Sequence, residues 1–125
     1  MCAVLALCLT KWSNMNNEEI KKAFEAVAQD INTTAVAKGW WDRERNDGEM
    51  IALIHSELSE ALEALRNGNP PDDKIPEYTG VEAEMADVLI RLFDISWARG
   101  WRVIDAMLAK MEMNKTREYR HGKLF

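Results

Sequence analysis

Apolar residues recur along this chain at intervals of three and four, the spacing of one helix face, and strand-like alternation is nearly absent. The pattern predicts four helices, over residues 17–38, 48–66, 81–99 and 103–118. Asn16 followed by Glu19 resembles a capping box, and Gly39 and Gly100 supply helix ends. Helices joined by mostly short connections, with one longer proline-containing loop over residues 67–80, predict an all-α four-helix bundle.

The first fifteen residues differ from the rest of the chain. Residues 3–9 are apolar but far too few to span a bilayer. They also lack the basic lead-in and the cleavage site of a secretory signal. We therefore expect residues 1–15 to be a loosely attached leader, with Met15 a candidate for the natural start, and residues 16–125 to form the domain.

Charge and cysteine content exclude several classes of protein. The chain has 125 residues and a formal net charge of −5, which does not favour binding to a nucleic acid polymer, and nothing in it predicts membrane attachment. Its two cysteines, Cys2 and Cys8, match no zinc or redox spacing, which favours a reducing, cytoplasmic location. A polyanionic substrate would have to be handled through a metal ion and a few local cations.

Two acidic pairs stand on successive predicted helices. Glu57 and Glu60 belong to the second helix, and Glu84 and Asp87 belong to the third. Residues three apart on a helix point roughly the same way, so each pair can present two carboxylates to one point. Glu57 falls inside the apolar arc of its helix and Glu60 lies at the edge of that arc. The third helix is apolar around most of its circumference, which predicts that it is mostly buried.

Carboxylates that face inward must be paired, protonated or bound to a metal, because an unpaired buried charge costs several kcal/mol. Arg91 lies on the same stripe as Glu84 and Asp87 and can pair with one or two of the carboxylates. A hard divalent cation, Mg²⁺ with Mn²⁺ as the alternative, would neutralise the remainder. Ordinary salt bridges on solvated helix faces are the competing interpretation.

Three segments resemble the MazG-like nucleoside triphosphate pyrophosphohydrolases, an all-α superfamily. The segments are GEMIALIHSELSEALEALR, EAEMADVLIRLFDIS and KMEMNKTREYRHGK. The first two carry the E-x-x-E and E-x-x-D pattern of that family at Glu57, Glu60, Glu84 and Asp87. The third carries Lys110, Asn114 and Arg117 at helical spacing. The resemblance covers residues 38–123, and the first helix more loosely.

The resemblance implies a MazG-like bundle that forms obligate oligomers, dimers or tetramers, with sites completed between subunits. It implies Mg²⁺-dependent hydrolysis of a (d)NTP to the (d)NMP and pyrophosphate, as in house-cleaning of the nucleotide pool. The four carboxylates would hold the metal and serve catalysis, with Glu60 a candidate for orienting the water. Lys110 and Asn114 would contact phosphate or sugar, with Arg117 one turn further along.

Two tryptophans, Trp40 and Trp41, stand just before the second helix. We expect Trp41, ahead of Trp40, to lie near the nucleobase, since bases stack on aromatic faces. The alternative is that one fills the core and the other an oligomer interface. Abundant Met and Trp on several faces favour self-association. Two other functions remain open: a catalytically inactive helical oligomeric module that binds a basic partner, and a metal-storage or sensing bundle.

Overall fold

Residues 15–119 of the computed structural model are described here, and they form four helices. These are α1 (Asn17–Ala37), α2 (Asp47–Arg66), α3 (Gly80–Arg99) and α4 (Val103–Lys115). An isolated bridge between Pro71 and Thr79 is the only strand-type pairing within that range. The predicted all-α class is confirmed for the described residues. The predicted leader lies outside them except for Met15, as do residues 120–123 of the third resembling segment.

Helix ends follow the capping signals. The backbone N–H of Asn16 donates to Glu19 Oε2 at 2.8 Å, and that of Glu19 donates to Asn16 Oδ1 at 2.9 Å, which confirms the capping box. Gly39 follows α1 with a φ of +80°, and a Cβ there would lie 2.9 Å from Asp42 Oδ2. Only glycine satisfies both conditions, so this residue fixes where the connector to α2 begins.

The fourth helix is one turn shorter than the sequence predicts. It ends at Lys115 instead of residue 118, and Thr116 forms its C-cap. The Thr116 hydroxyl donates to the Met113 carbonyl at 2.8 Å, and the backbone N–H groups of Thr116 and Arg117 donate to carbonyls three residues back instead of four, the tightened pattern of a last helical turn. Arg117 therefore lies beyond the helix, and the predicted helical alignment of Arg117 with Lys110 and Asn114 is wrong.

The chain divides into two compact units. Within the described residues, the terminal unit comprises residues 15–26 and 102–119, and the central unit comprises residues 27–101. In the terminal unit, Lys21 Nζ on α1 forms an ion pair with Asp105 Oδ1 on α4 at 3.0 Å. The hydrogen bond from Lys21 holds the pKa of Asp105 below its ordinary value.

In the central unit, α2 and α3 form an antiparallel hairpin. Asp47 Oδ1 at the start of α2 pairs with Arg99 Nε at the end of α3, at 2.6 Å. At the other end, Gly80 packs so closely on Ala64 that a Cβ at residue 80 would lie 3.0 Å from the Ala64 Cβ. The close approach aligns the two helices side by side, which is what allows side chains of both to meet.

The prediction that α3 is mostly buried is wrong for the single chain. Phe93, Ile95 and Ser96 are buried, but Met85 and Leu89 are about half exposed, at 48% and 53%. Within a single chain, too few elements pack against α3 to cover the apolar residues on all of its sides. No helix within residues 15–119 combines the length and the apolarity that crossing a membrane requires.

A buried carboxylate ties the second half of α1 and the connector to α3. Asp94 is 7% exposed and accepts hydrogen bonds from Asn32 Nδ2 at 2.7 Å and from Trp41 Nε1 at 3.0 Å. The guanidinium of Arg99 lies over the Trp41 ring, 5.6 Å from its centroid. A satisfied buried acceptor of this kind fixes the register of three segments at once.

We expect Asp94→Ala to lower the free energy of unfolding by about 2–4 kcal/mol, because two donors, from Asn32 and Trp41, lose their acceptor. Urea unfolding followed by circular dichroism measures the change. Glu63→Ala, at an exposed position of α2, is the control and should change stability by less than about 0.5 kcal/mol. An equally small change for Asp94→Ala would contradict this account.

Candidate metal centre

Three of the four predicted carboxylates converge between α2 and α3. Glu57, Glu60 and Glu84 each offer one carboxylate oxygen, and these oxygens lie within 4.8 Å of one another. We call these three residues the carboxylate cluster. Glu57 and Glu60 come from consecutive turns of α2, and the antiparallel packing brings α3 alongside. The cluster is graded in exposure, from buried Glu57 through half-buried Glu84 to exposed Glu60.

A single arginine balances the most buried member of the cluster. Glu57 is 5% exposed, and its Oε1 accepts from Arg91 Nε at 2.6 Å. This contact confirms that Arg91 pairs with one of the carboxylates. An ion pair this short holds the Glu57 side chain in place, whereas Glu60 and Glu84 form no ion pair with the cations of residues 15–119.

Two acidic residues on α3, Glu84 and Asp87, have raised pKa values. Burial raises the pKa of Glu84 above its ordinary value, and the charges of Glu60 and Glu57 raise it further. Burial and the Glu57 charge also raise the pKa of Asp87, against the opposing effect of Arg91. Both shifts mean that the surroundings resist the ionised form at these positions.

The donor chemistry of the cluster suits a small divalent cation. Oxygen-only ligands suit Mg²⁺ and Mn²⁺. Oxygens bound to one Mg²⁺ through bonds of about 2.1 Å lie about 3.0 Å apart when adjacent and about 4.2 Å apart when opposite, so donors that lie within 4.8 Å of one another would have to move closer together to share one ion. Three carboxylates and the Arg91 guanidinium carry a formal charge of −2, which one divalent cation neutralises.

Asp87, the fourth predicted carboxylate, lies one turn beyond Glu84 and outside the group of three. It lines a cavity of about 450 Å³ in the central unit, together with Arg91. The cavity wall also includes residues of α1 and the connector, and its volume lies in the range of small-molecule sites. Arg91 therefore contacts the carboxylate cluster on one side and the cavity on the other.

The two tryptophans occupy different environments. Trp40 is 54% exposed and lines the cavity. Trp41 is half-buried, and its indole N–H donates to Asp94. Of the two, Trp40 offers the aromatic surface at the cavity, whereas the sequence favours Trp41. Consecutive residues in a turn point in different directions, and no sequence periodicity distinguishes them there.

The basic residues of the third resembling segment lie in the terminal unit. Lys110 and Asn114 are exposed on α4. Arg117 follows the helix, and its Nη2 contacts Met113 Sδ at 3.9 Å. Their assignment to phosphate or sugar stays a prediction from the resemblance.

Arg45 is a cavity residue that the sequence analysis did not single out. It is 8% exposed, and its Nη2 donates to Glu49 Oε1 at 3.0 Å. Its signal in the sequence is the spacing of four from Glu49, across a helix start that Asn46 caps by accepting from the Gly48 N–H at 2.8 Å. That pattern ordinarily indicates an exposed ion pair, and only the folded structure shows that Arg45 is buried.

We expect Glu84→Gln to stabilise the metal-free protein at pH 7.5. A raised native pKa gives a contribution to stability that is complete below the unfolded pKa and is lost as pH rises through the native pKa. Charged Glu84 therefore opposes folding at neutral pH, whereas an amide does not. Thermal unfolding in EDTA should show a higher Tm for the variant, and the gain should shrink toward pH 4.3, about the ordinary glutamate pKa.

The exposed Glu63 on α2 supplies the control, since Glu63→Gln should not change Tm in this way. A lower Tm for Glu84→Gln at pH 7.5 in EDTA would contradict the repulsion inferred at the cluster.

Comparisons of the chain with protein-family models, with curated proteins and with solved structures gave no match.

Proposed function

We propose that the protein is a Mg²⁺-dependent nucleoside triphosphate pyrophosphohydrolase that converts a (d)NTP to the (d)NMP and pyrophosphate. The observation that carries the proposal is the convergence of Glu57, Glu60 and Glu84 beside a cavity into which Arg91 also faces. The resemblance of the same residues to the MazG-like family supplies the reaction class. On this proposal the enzyme acts on the cytoplasmic nucleotide pool, with house-cleaning as its role.

We assign different roles to the carboxylates of the cluster because they differ in exposure to solvent. Phosphoryl transfer needs positioning and charge neutralisation more than a covalent nucleophile. Bound Mg²⁺ would stabilise charge at the attacked phosphorus and lower the pKa of a coordinated water. Glu57, fixed by Arg91, provides a rigid ligand position. Glu60 is exposed and is the member best reached by water, which suits it to orient the attacking molecule.

The remaining predicted contacts complete the proposal. Asp87 lines the cavity next to the cluster and is a further acidic ligand or water contact. Lys110, Asn114 and Arg117 would contact phosphate or sugar, as the resemblance implies. A Lys acts on phosphate as a point charge, whereas Arg presents a planar fork.

We expect Glu60→Gln to reduce Mg²⁺-dependent release of pyrophosphate by about a hundredfold or more, because the amide removes a metal or water contact. Glu60 is the sharpest position to test, since Glu57→Gln would also break the ion pair with Arg91. Pyrophosphate release from a panel of dNTPs, with Mg²⁺ and with EDTA, measures the effect. Glu63→Gln, three residues further along α2, is the matched control.

Two results would count against the reaction. Full activity of Glu60→Gln would remove the carboxylate cluster from catalysis. Absence of Mg²⁺-dependent pyrophosphate release from every dNTP, in protein that is folded by circular dichroism, would favour the inactive interaction module. Metal binding that does not depend on a nucleotide would favour a storage or sensing bundle.

We further propose that the enzyme is a MazG-like four-helix bundle that works as a homo-oligomer. Four large apolar side chains of α2 remain exposed in the single chain and share one helix face: Ile51, Leu58, Leu62 and Leu65. Met85 and Leu89 add a second exposed apolar stripe on α3. Extended apolar surface of this kind is typical of an interface between subunits.

We expect Leu62→Lys to weaken self-association by about tenfold or more. The chain should stay folded, because Leu62 is 58% exposed and contributes little to the core of the single chain. Sedimentation velocity at micromolar concentration measures the change, and Glu63→Lys on the adjacent polar face is the control. Wild-type protein that sediments as a monomer under these conditions would contradict the oligomer.

A further inference from the structure

Asp94 is a buried carboxylate in the wall of the cavity, and no nearby cation balances it. The residue is 7% exposed and lines the cavity of about 450 Å³ in the central unit, so a ligand in the cavity can contact it. Among residues 15–119, no basic side chain forms an ion pair with it. A buried acid without a partner charge is destabilising, so its retention needs an explanation.

The hydrogen bonds of Asp94 leave part of its carboxylate unfilled. Asn32 Nδ2 donates to Oδ1 at 2.7 Å, and the single indole N–H of Trp41 is shared between Oδ1 at 3.0 Å and Oδ2 at 3.1 Å. These two donors fix the register of the segments, but a carboxylate can accept about four hydrogen bonds. Oδ2 therefore keeps the capacity to accept from a further donor, which a ligand can supply.

Two other carboxylates of the wall, Asp30 and Asp87, differ from Asp94 in their surroundings. Both residues are exposed, whereas Asp94 is almost fully buried. At an exposed carboxylate, a ligand donor only replaces water, so the net gain is small. A hydrogen bond made away from water is stronger, and its loss is more costly. Of the three carboxylates, Asp94 is therefore the one that can best discriminate between ligands.

The basic residues of the wall offer no comparable buried donor to a ligand. Arg91 Nε donates to Glu57, and Arg45 Nη2 donates to Glu49. The Nε of Arg45 has no partner, but it is covered by the protein and a ligand cannot reach it. Lys38 is exposed. The unfilled capacity that a ligand meets in a buried part of the wall is therefore that of an acceptor.

We propose that Asp94 determines base specificity in this cavity: it accepts a hydrogen bond from the exocyclic amino group of a nucleobase that lies against Trp40, so that an amino-bearing base, adenine or cytosine, binds more tightly than its analogue without that group. This inference rests on the proposed function for its ligand class. The wall combines apolar residues, Ile31, Met50 and Ile90, with the exposed aromatic surface of Trp40, which suits a planar ring. A base without the amino group would leave Asp94 with no donor from the ligand.

The test compares nucleotides that differ only in the amino group of the base. One pair is dAMP and the purine deoxyribonucleotide with hydrogen at C6, and the other is dCMP and the pyrimidin-2-one deoxyribonucleotide with hydrogen at C4. Isothermal titration calorimetry in EDTA measures the binding of each to the full chain, so that neither metal nor turnover is needed. In at least one pair, we expect the amino-bearing nucleotide to bind about tenfold more tightly, as one hydrogen bond to a charged group allows.

Three matched amide substitutions assign that preference to one carboxylate. Asp94→Asn keeps an oxygen to accept from Asn32 and Trp41 but replaces the other oxygen by an amide NH₂. Donor then faces donor, so the affinity ratio within the pair should fall to about one or below. Asp30→Asn and Asp87→Asn change the other carboxylates of the wall and should keep the ratio. Thermal unfolding checks that each variant is folded.

The outcomes separate this inference from the proposed function. Equal binding within both pairs, no binding of any nucleotide, a ratio that survives in folded Asp94→Asn, or a ratio lost in folded Asp30→Asn or Asp87→Asn overturns the role of Asp94. If Asp94→Asn does not fold, the other two variants decide, and a ratio that survives in both supports Asp94.

Hydrolysis is scored separately from this binding preference. If the preference is found and is lost in Asp94→Asn while no dNTP is hydrolysed with Mg²⁺, the inference stands and the proposed reaction falls. If dNTPs are hydrolysed but the nucleotides of both pairs bind equally, the reaction stands and the inference falls.

Discussion

The ion pair between Glu57 and Arg91 is the contact on which the central unit depends. It joins α2 to α3 at a position where Glu57 is almost fully buried, and it places the guanidinium between the carboxylate cluster and the cavity. Without Arg91, an ionised Glu57 would lie unpaired in a region that already resists the charges of Glu84 and Asp87. The position of this one cation therefore sets where positive charge meets both the cluster and the cavity.

The helical framework could be predicted from the sequence because its signals are local. Apolar spacing and the capping residues gave the bounds of α1, α2 and α3 to within one residue, since the caps form their hydrogen bonds within four positions of the chain. The last helix was predicted too long because its hydrogen bonds tighten to three residues back at Thr116 and Arg117. Apolar periodicity only weakly marks such a change in the last turn.

The convergence of acidic residues was predictable for a similar reason, whereas the cavity was not. Glu57 and Glu60 are placed by helical spacing, and Glu84 joins them because α2 and α3, which are consecutive along the chain, pack antiparallel. Trp40, Trp41 and Arg45 belong to a connector without regular periodicity, and their directions depend on Asp94 and Glu49, residues four to about fifty positions away. A pattern confined to one helix contains no information on such contacts.

Charge balance links the cluster to the cavity under the proposed function. Arg91 forms an ion pair with Glu57, so a divalent cation bound to the cluster would share that role. The guanidinium would then be less strongly held by Glu57 and better able to attract an anionic group in the cavity, whose wall it already forms. Metal and nucleotide binding should accordingly favour one another, because each relieves a charge that the other leaves uncompensated. The same reasoning separates an enzyme from a storage bundle, in which the cation would bind equally well with the cavity empty.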